Sequence, residues 1–420
     1  MCTKQLKYRG SEIVTRVRAA EGVGNASESF GGMDLIDSGD FHQFPPVGNP
    51  SAALYCNRPD TDGQHALKGR AIFQEYNNVV ILREQMRVTD ETWSGILSRL
   101  RVGECTKEDM DEVQKLVLTN PRCDIPDFPT APWCDATLIT PRNATKDLWN
   151  SAALEGHCRR SGNHKYIISA EDTVRETGEV PDMKTKLAIA GLKDDATKNL
   201  KMRTELAVGM KAMVVLNIAT EADVANGTRG TVEGFVLDPR ENSTTPDDEG
   251  CIHLQYPPPV IYFKPEMQTT TVFEGVPEGI IPISPSMVRF NVDVEGAKVK
   301  MERRQLAIVP GYAFTDYKSQ GQTMEYVIVD ISKPPSGSLS PFSVYVALSR
   351  SRGRKTIRIL RDFDPTLFMH HPSEDLRIDM ARLELLDEIT KEAYENERDR
   401  SVIASNNRRS QAHMHVVPKR

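Results

Sequence analysis

Four short segments concentrate the side chains with chemistry to offer. The first is Gly39-Asp40-Phe41-His42-Gln43-Phe44-Pro45-Pro46-Val47. It follows the apolar run Met33 to Ile36, which reads as a buried strand, so Asp40 and Gln43 fall in a polar turn at a strand's carboxyl end. Nucleotide-binding α/β proteins place ligand-sensing groups at such turns. The second segment, Leu82 to Arg87, sets arginines directly after Val79-Val80-Ile81-Leu82, a β-branched run expected as a buried parallel strand. An arginine there reaches a phosphate with its planar fork, or forms a surface salt bridge. The third segment, Gly311 to Thr323, offers Thr315, Lys318, Ser319 and Gln320 as donors for a sugar-phosphate backbone. Phe314 and Tyr317 stack or pack beside them, and the same stretch also reads as the polar start of a helix. The fourth, Val344 to Arg352, is a small-residue helix face that delivers Arg350 and Arg352. These are either fingers for a transferring phosphate or cations at a helix end.

The elements that must position these groups alternate between strand and helix patterns. A helical stretch over 65–82 leads into the Val79 run, and 90–117 carries Trp93, Ile96, Leu97 and Leu100 on one face. Residues 1–30 hold an amphipathic stretch around Ile13, Val14 and Val17. Four prolines between Pro121 and Pro132 mark an interdomain connection. Ala136 to Thr140 opens a second α/β unit, which resumes at Tyr326 to Asp330 and ends at Thr356 to Leu360. Between these, 160–205 reads as a polar insertion. Short strands at Ala212 to Leu216, Gly230 to Leu237, Ile252 to Gln255, Val260 to Phe263 and Met287 to Asn291 read as one small β-barrel or sandwich. A charged amphipathic helix over 374–398 and a disordered polar tail close the chain. Leu385 to Ile389 resembles a strand followed by Asp-Glu, but it lies in that helix and is assigned no magnesium role.

Composition narrows the possibilities. The 420 residues carry a net charge of -6, with 39% hydrophobic and 27% charged residues, ordinary for a soluble multidomain protein. Nucleic-acid contact must therefore come from local basic patches. No apolar stretch approaches the roughly 20 residues that span a bilayer. Seven scattered cysteines form no C-x-x-C pair, which points to reduced intracellular thiols rather than zinc or disulfides. No Gly-Lys dipeptide occurs, so these residues contain no P-loop of the form G-x-x-x-x-G-K-[ST].

In order and wording the segments resemble the motifs of the superfamily 1B DNA helicases, specifically the petite-integration-frequency family in its Helitron-type version. Gly39 to Val47 resembles motif III, whose Gln senses the γ-phosphate, and Arg87 falls at the motif IV arginine. Thr140, Asn143 and Asn150 are similar to the Thr-x-x-Asn segment that opens the second RecA-like domain. Gly209 to Asn217 with Asn226 to Gly230 resembles motif V. Phe314 to Thr323 resembles the DNA-touching motif before motif VI, and Val346 to Arg350 resembles motif VI with its arginine finger.

The resemblance implies an α/β fold of two RecA-like P-loop NTPase domains, the first incomplete, with a small SH3-like β-barrel inserted in the second. The expected boundaries are 1–120 for the first domain, 121–134 for a linker, 135–217 with 306–365 for the second, 218–305 for the barrel and 366–420 for helix and tail. The implied function is ATP-dependent 5′–3′ DNA unwinding, in repair, recombination, telomere maintenance or Helitron transposition, in a nucleus or mitochondrion. The alternative is a catalytically dead remnant that holds single-stranded DNA. Gln43, Arg87 and Arg350 carry catalysis in this reading. Asp40, Gln43, Arg87, Gly321 and Arg350 contact ATP. Thr140, Asn143, Asn226, Thr315, Lys318 and Ser319 contact single-stranded or forked DNA. The family's P-loop and magnesium-binding Asp-Glu are expected before residue 1, which leaves no metal ligands here and an inactive monomeric fragment.

Overall fold

The computed structural model describes residues 2–414 apart from 223, 243, 268–270 and 336, and over 399–414 it describes backbone only. The helices are α1 (Lys4–Ala20), α2 (Gln64–Gln74), α3 (Glu91–Val102), α4 (Lys107–Gln114), α5 (Asn143–Ser161), α6 (Met183–Ala190), α7 (Asp316–Ser319), α8 (Pro341–Leu348) and α9 (Glu374–Met414). The strands are β1 (Thr137–Ile139), β2 (Lys165–Ser169), β3 (Glu171–Val174), β4 (Arg203–Leu206), β5 (Lys211–Val214), β6 (Arg229–Val236), β7 (Cys251–Leu254) and β8 (Val260–Pro265). They continue with β9 (Ile281–Ile283), β10 (Ser286–Val294), β11 (Ala297–Gln305), β12 (Ile308–Pro310), β13 (Ala313–Phe314), β14 (Val327–Val329) and β15 (Ile357–Ile359). The chain divides into two compact units: Met1–Leu116 with Ser338–Lys355 and Phe363–Arg420, and Val117–Gly337 with Thr356–Asp362.

The second unit contains every sheet found among the described residues. Its parallel sheet runs β13-β1-β14-β15, with Leu138 opposite both Ala313 and Ile328. Leu138, Ile328 and Ile359 are fully buried, as continuous β-branched runs in parallel sheets should be. Asn150 on α5 locks that helix to the sheet: its Oδ1 accepts from the amides of Tyr312 and Ala313 at 3.0 and 2.8 Å. An antiparallel five-stranded sheet, β12-β5-β6-β8-β9, shares a core with α5, β2, β4 and β7. Burying side chains such as Ile261 and Phe263 there contributes roughly 1.5–3 kcal/mol each. Gly230 is required where β6 passes β8, since a Cβ would stand 2.2 Å from the Lys264 carbonyl oxygen.

Several expectations need correcting in this unit. Residues 160–205 are not a polar insertion. They supply β2, β3, α6 and β4, with Ile168 and Leu200 fully buried; half-buried faces hid the pattern. The five short strands also do not form one barrel. Strand β7 pairs with β2, and β10 pairs with β11, so the run is shared among three sheets. The segment 121–134, expected as a linker, belongs to this unit together with 117–120, expected in the first domain; the Leu118 amide donates to the Ile359 carbonyl at 2.8 Å.

The first unit is helical and irregular. Helices α3 and α4 form as the spacing of Trp93, Ile96, Leu97 and Leu100 implies, with Asp90 and Thr106 capping their first turns. Neither expected strand forms. Met33 to Ile36 has no regular structure and pairs with nothing in a sheet, and Ile36 is 95% exposed. Val79 to Leu82 also forms no strand, with Val80 74% and Leu82 91% exposed. Side chains of α9 meet its backbone instead. Thr390 Oγ1 accepts from the Val79 amide at 3.0 Å and Asp387 Oδ1 from the Ile81 amide at 2.8 Å. A strand needs a neighbouring strand, and among the described residues of this unit none stands beside either run.

Helix α1 is reversed relative to its amphipathic reading. Ile13 is 63% exposed, while Lys4 and Lys7 are buried against Asp62 and Asp37. Residues 338–355 fall in this unit rather than in the second because α8 packs on α3. Helix α9 runs on past 398 to Met414, which places the first part of the expected disordered tail in a helix; 415–420 lie outside the described residues.

Candidate nucleotide-sensing site

The turn at 39–47 is built around Asp40. Its Oδ1 accepts from the His42 amide at 3.0 Å and from Arg101 Nη2 at 2.7 Å, while Oδ2 faces Gln43 Nε2 at 3.4 Å. Burial works against the charge on Asp40, but His42 and the Arg101 guanidinium outweigh it and hold the carboxyl below the usual carboxylate range. Phe41 anchors the turn, meeting Tyr55 and Phe73 edge-on at 5.4 and 5.7 Å. Gln43 is thus presented by a short-range hydrogen-bonded turn, without a preceding strand.

The arginines arrive from α8 and the segment before α3. Helix α8 is apolar on all sides, with Val344, Val346, Ala347 and Leu348 buried, so it is fully packed and ends rigidly at Ser349. Arg350 is only 2% exposed; its Nε donates to the Val346 carbonyl at 2.8 Å and its Nη2 to Ser349 Oγ at 2.7 Å. Arg87 Nη1 donates to the Ser349 carbonyl at 3.1 Å. Ser349 therefore holds one arginine on its carbonyl and the other on its hydroxyl. Burial, and then the charge of Arg87, push Arg350 down to about 10. Burial also lowers Arg87, against the pull of Tyr345. Two guanidiniums gathered in a desolvated site are costly to maintain and complement a polyanion.

The loop that follows is clamped to α3. Trp93 Nε1 donates to Ser351 Oγ at 3.0 Å. Arg354 grips Asp90 at 2.8 Å and Glu112 at 2.6 Å, and its hydrogen bond holds Asp90 down at about 2. Gly353 has no alternative here, since a Cβ would sit 2.6 Å from the Asp90 Cβ. Arg352 points to the surface and contributes its carbonyl, which accepts from the Thr89 amide at 2.9 Å. Sequence reasoning missed Arg101, Tyr345 and Ser349. Two arginines in the last turn of α3 were the available signal: Arg99 serves Asp109 while Arg101 serves Asp40.

The remaining expected residues lie in the second unit. Thr140 is fully buried, its Oγ1 donating to Asp330 at 3.1 Å, and Ser319 is fully buried, its Oγ donating to the Asp316 carbonyl at 2.7 Å. Neither hydroxyl is placed to touch DNA; both shape the loops that carry their neighbours. Asn143 and Asn226 are exposed, and each takes a lysine: Lys146 Nζ donates to Asn143 at 3.2 Å and Lys318 Nζ to Asn226 at 3.1 Å. Burial, then the charge of Lys146, lowers Lys318. The side chain of Thr315, at the start of α7, makes no capping bond, and Tyr317 beside it is exposed. Gly321 adopts a φ of 80° in this unit, whereas Asp40, Gln43, Arg87 and Arg350 belong to the first.

Among the described residues no group of three or more His, Cys, Asp or Glu is arranged to hold a metal ion. The carboxylate beside Gln43 is already engaged by Arg101. The residues present do not fit a magnesium ion. Among the described residues no helix is long and apolar enough to cross a membrane.

No protein-family model matches the sequence. Over 360 residues the chain is 26% identical to the ATP-dependent DNA helicase PIF1 of Xenopus laevis, a match covering 84% of this chain and 45% of that protein. It is 24% identical over 351 residues to the mouse (Mus musculus) protein of that name, covering 83% and 43%. The chain thus spans less than half the length of these relatives. Among solved structures, the Pif1 helicase from Candida albicans matches with a TM-score of 0.55 at 20% identity, covering 89% of this chain and 74% of that one. Bacteroides Pif1 bound to single-stranded DNA matches with a TM-score of 0.53 at 17% identity, covering 91% and 72%. At that identity the likeness speaks for the fold. The chain is thus similar in sequence to Pif1 DNA helicases over more than four-fifths of its length, and it shares the α/β fold of the solved Pif1 structures.

Proposed function

We propose that the chain supplies the γ-phosphate sensor, the arginine finger and a DNA-binding face of an ATP-dependent 5′–3′ DNA helicase acting in the nucleus or mitochondrion. The observation that carries this reading is the pair of arginines on Ser349, the buried Arg350 at 2% exposure and the half-buried Arg87, in the same unit as the Asp40–Gln43 turn. Positioned cations of this kind neutralise a transferring phosphoryl group. The second unit is the second RecA-like domain in this proposal, with the β12-β5-β6-β8-β9 sheet as its SH3-like insertion. Lys318, Lys146, Asn143 and Asn226 form the DNA-backbone face, and Gly321 belongs to the nucleotide-contacting set.

Arginines alone do not replace a phosphate cradle of backbone amides and lysine. No Gly-Lys dipeptide occurs in these 420 residues, so the chain by itself binds single-stranded DNA without turning over ATP. DNA-stimulated ATP hydrolysis tests this, and turnover above background overturns it. Lys318→Ala is expected to weaken binding to all single strands alike and to lower the salt slope by about 1. An unchanged slope removes Lys318 from the DNA face.

A second reading is a catalytically dead DNA-binding remnant. The lysine–asparagine cluster favours it, since that cluster operates without nucleotide. Unwinding of a 5′-tailed fork by the complete product of the gene supports the helicase; strand binding without unwinding supports the remnant.

A further inference from the structure

The first unit carries a half-open cavity of about 420 Å³ that Gln43, Arg87 and Arg350 do not line. Its walls come from the 42–58 segment, the last turn of α3, the start of α8 and residues 370–375. That volume lies within the range of small-molecule clefts and far exceeds the voids of a well-packed core.

The lining combines three kinds of chemistry. Tyr55, Phe342 and Tyr345 supply flat aromatic faces. Arg58 and Arg101 supply guanidiniums, each holding one carboxylate: Asp375 at 2.6 Å and Asp40 at 2.7 Å. Five N–H groups on each leave donors beyond those pairs. The third kind is imidazole. His42 is 6% exposed, and its Nδ1 has no hydrogen-bond partner, the closest carboxylate oxygen, on Asp40, standing at 3.7 Å. A buried polar atom in that condition costs free energy until something meets it. His370 and His371 turn their Nδ1 atoms toward the carbonyls of Thr366 and Val102, at 2.8 and 3.0 Å. A carbonyl only accepts, so those Nδ1 atoms carry the protons, and in the neutral rings Nε2 is an acceptor.

We propose that this cavity is a second ligand site, separate from the γ-phosphate sensor, and that it binds a nucleoside monophosphate. A planar base covers the aromatic faces, and its exocyclic amine donates to imidazole nitrogen. The phosphate takes the remaining donors of Arg58 and Arg101. Inorganic phosphate would leave the aromatic wall bare, and an uncharged nucleoside would leave the guanidiniums unused. The site stands on the cavity's own residues and does not depend on the helicase reading. Arg101 belongs to both places, so a ligand in the cavity loads the side chain that orients Asp40.

Calorimetric titration of the full chain with AMP, adenosine and inorganic phosphate tests the assignment. AMP is expected to bind at least tenfold more tightly than either fragment. Ser51→Trp, at an exposed position on the rim, fills the cavity and should abolish that binding while the chain still unfolds cooperatively. Phe342→Leu gives an independent readout, with an expected loss of tenfold or more. Gln43→Ala should leave AMP affinity unchanged. Absence of AMP binding overturns the proposal. So does binding that survives Ser51→Trp and disappears in Gln43→Ala, because the nucleotide would then sit on the sensor turn.

Discussion

The two units treat the same kind of β-branched run in opposite ways. In the second, Val327 to Val329 lies between two parallel neighbours and is completely buried. In the first, Val79 to Leu82 is also a run of strand-favouring residues, yet it forms no strand, and the amides of Val79 and Ile81 are met by side chains of α9. Propensity proposes a strand, and a neighbour makes one; most of what is called β preference is packing against adjacent strands. The first unit is therefore held by helix packing and side-chain clamps, the second by shared backbone ladders.

Hydrogen exchange offers the strongest way to break this contrast. Amides of β1, β14 and β15 are expected to exchange roughly a hundredfold or more slowly than those of 79–82, since lone segments open locally. Equal protection would show that the first unit has a sheet-like stability of its own. Next in size is Trp93→Ala. This fully buried side chain ties α3 to the loop after α8, and its loss should cost ~3–5 kcal/mol, lowering the unfolding transition of the first unit alone. A matched shift in the second unit would mean that the two unfold as one.

A smaller effect concerns pH. Asp90 titrates at about 2 in the folded chain against an ordinary 3.8, so its pairing with Arg354 stabilises the first unit above pH 4. That contribution fades as the pH falls from 4 towards 2. Both groups are partly exposed, which limits it to about 1 kcal/mol. Asp90→Asn should flatten this part of the acid-unfolding curve, and an unchanged curve assigns the acid sensitivity elsewhere. The smallest effect is expected from Asp387→Ala, which should speed exchange at Ile81 and leave global unfolding in place.

Motif spacing singles out candidate residues without any knowledge of the fold. The Asp40–Gln43 turn, Arg87 and Arg350 are far apart in the chain and fall in one unit. What spacing could not convey is which polar groups the fold consumes. Thr140 and Ser319 belong to motif-like stretches, but both are spent on buried hydrogen bonds beneath the surface. Arg101 escaped notice for the converse reason: nothing local marks it, and its partner lies 61 residues away. The strands of 165–206 were obscured by alternating charged and half-buried positions. The exposed apolar stripe of α1 reversed an inference from periodicity alone, which gives the direction of a face only when its partner is known.

Gly353 has a consequence for how this gene can change. Its hydrogen is all that fits against Asp90, so even the mildest replacement, alanine, would lever the Arg354 clamp apart and loosen the stretch that carries Arg350. The codon is therefore a sentinel. In lineages that still use the arginine, position 353 should stay fixed while the surface around it drifts, and its first substitution should mark the point at which selection on the arginine lapsed.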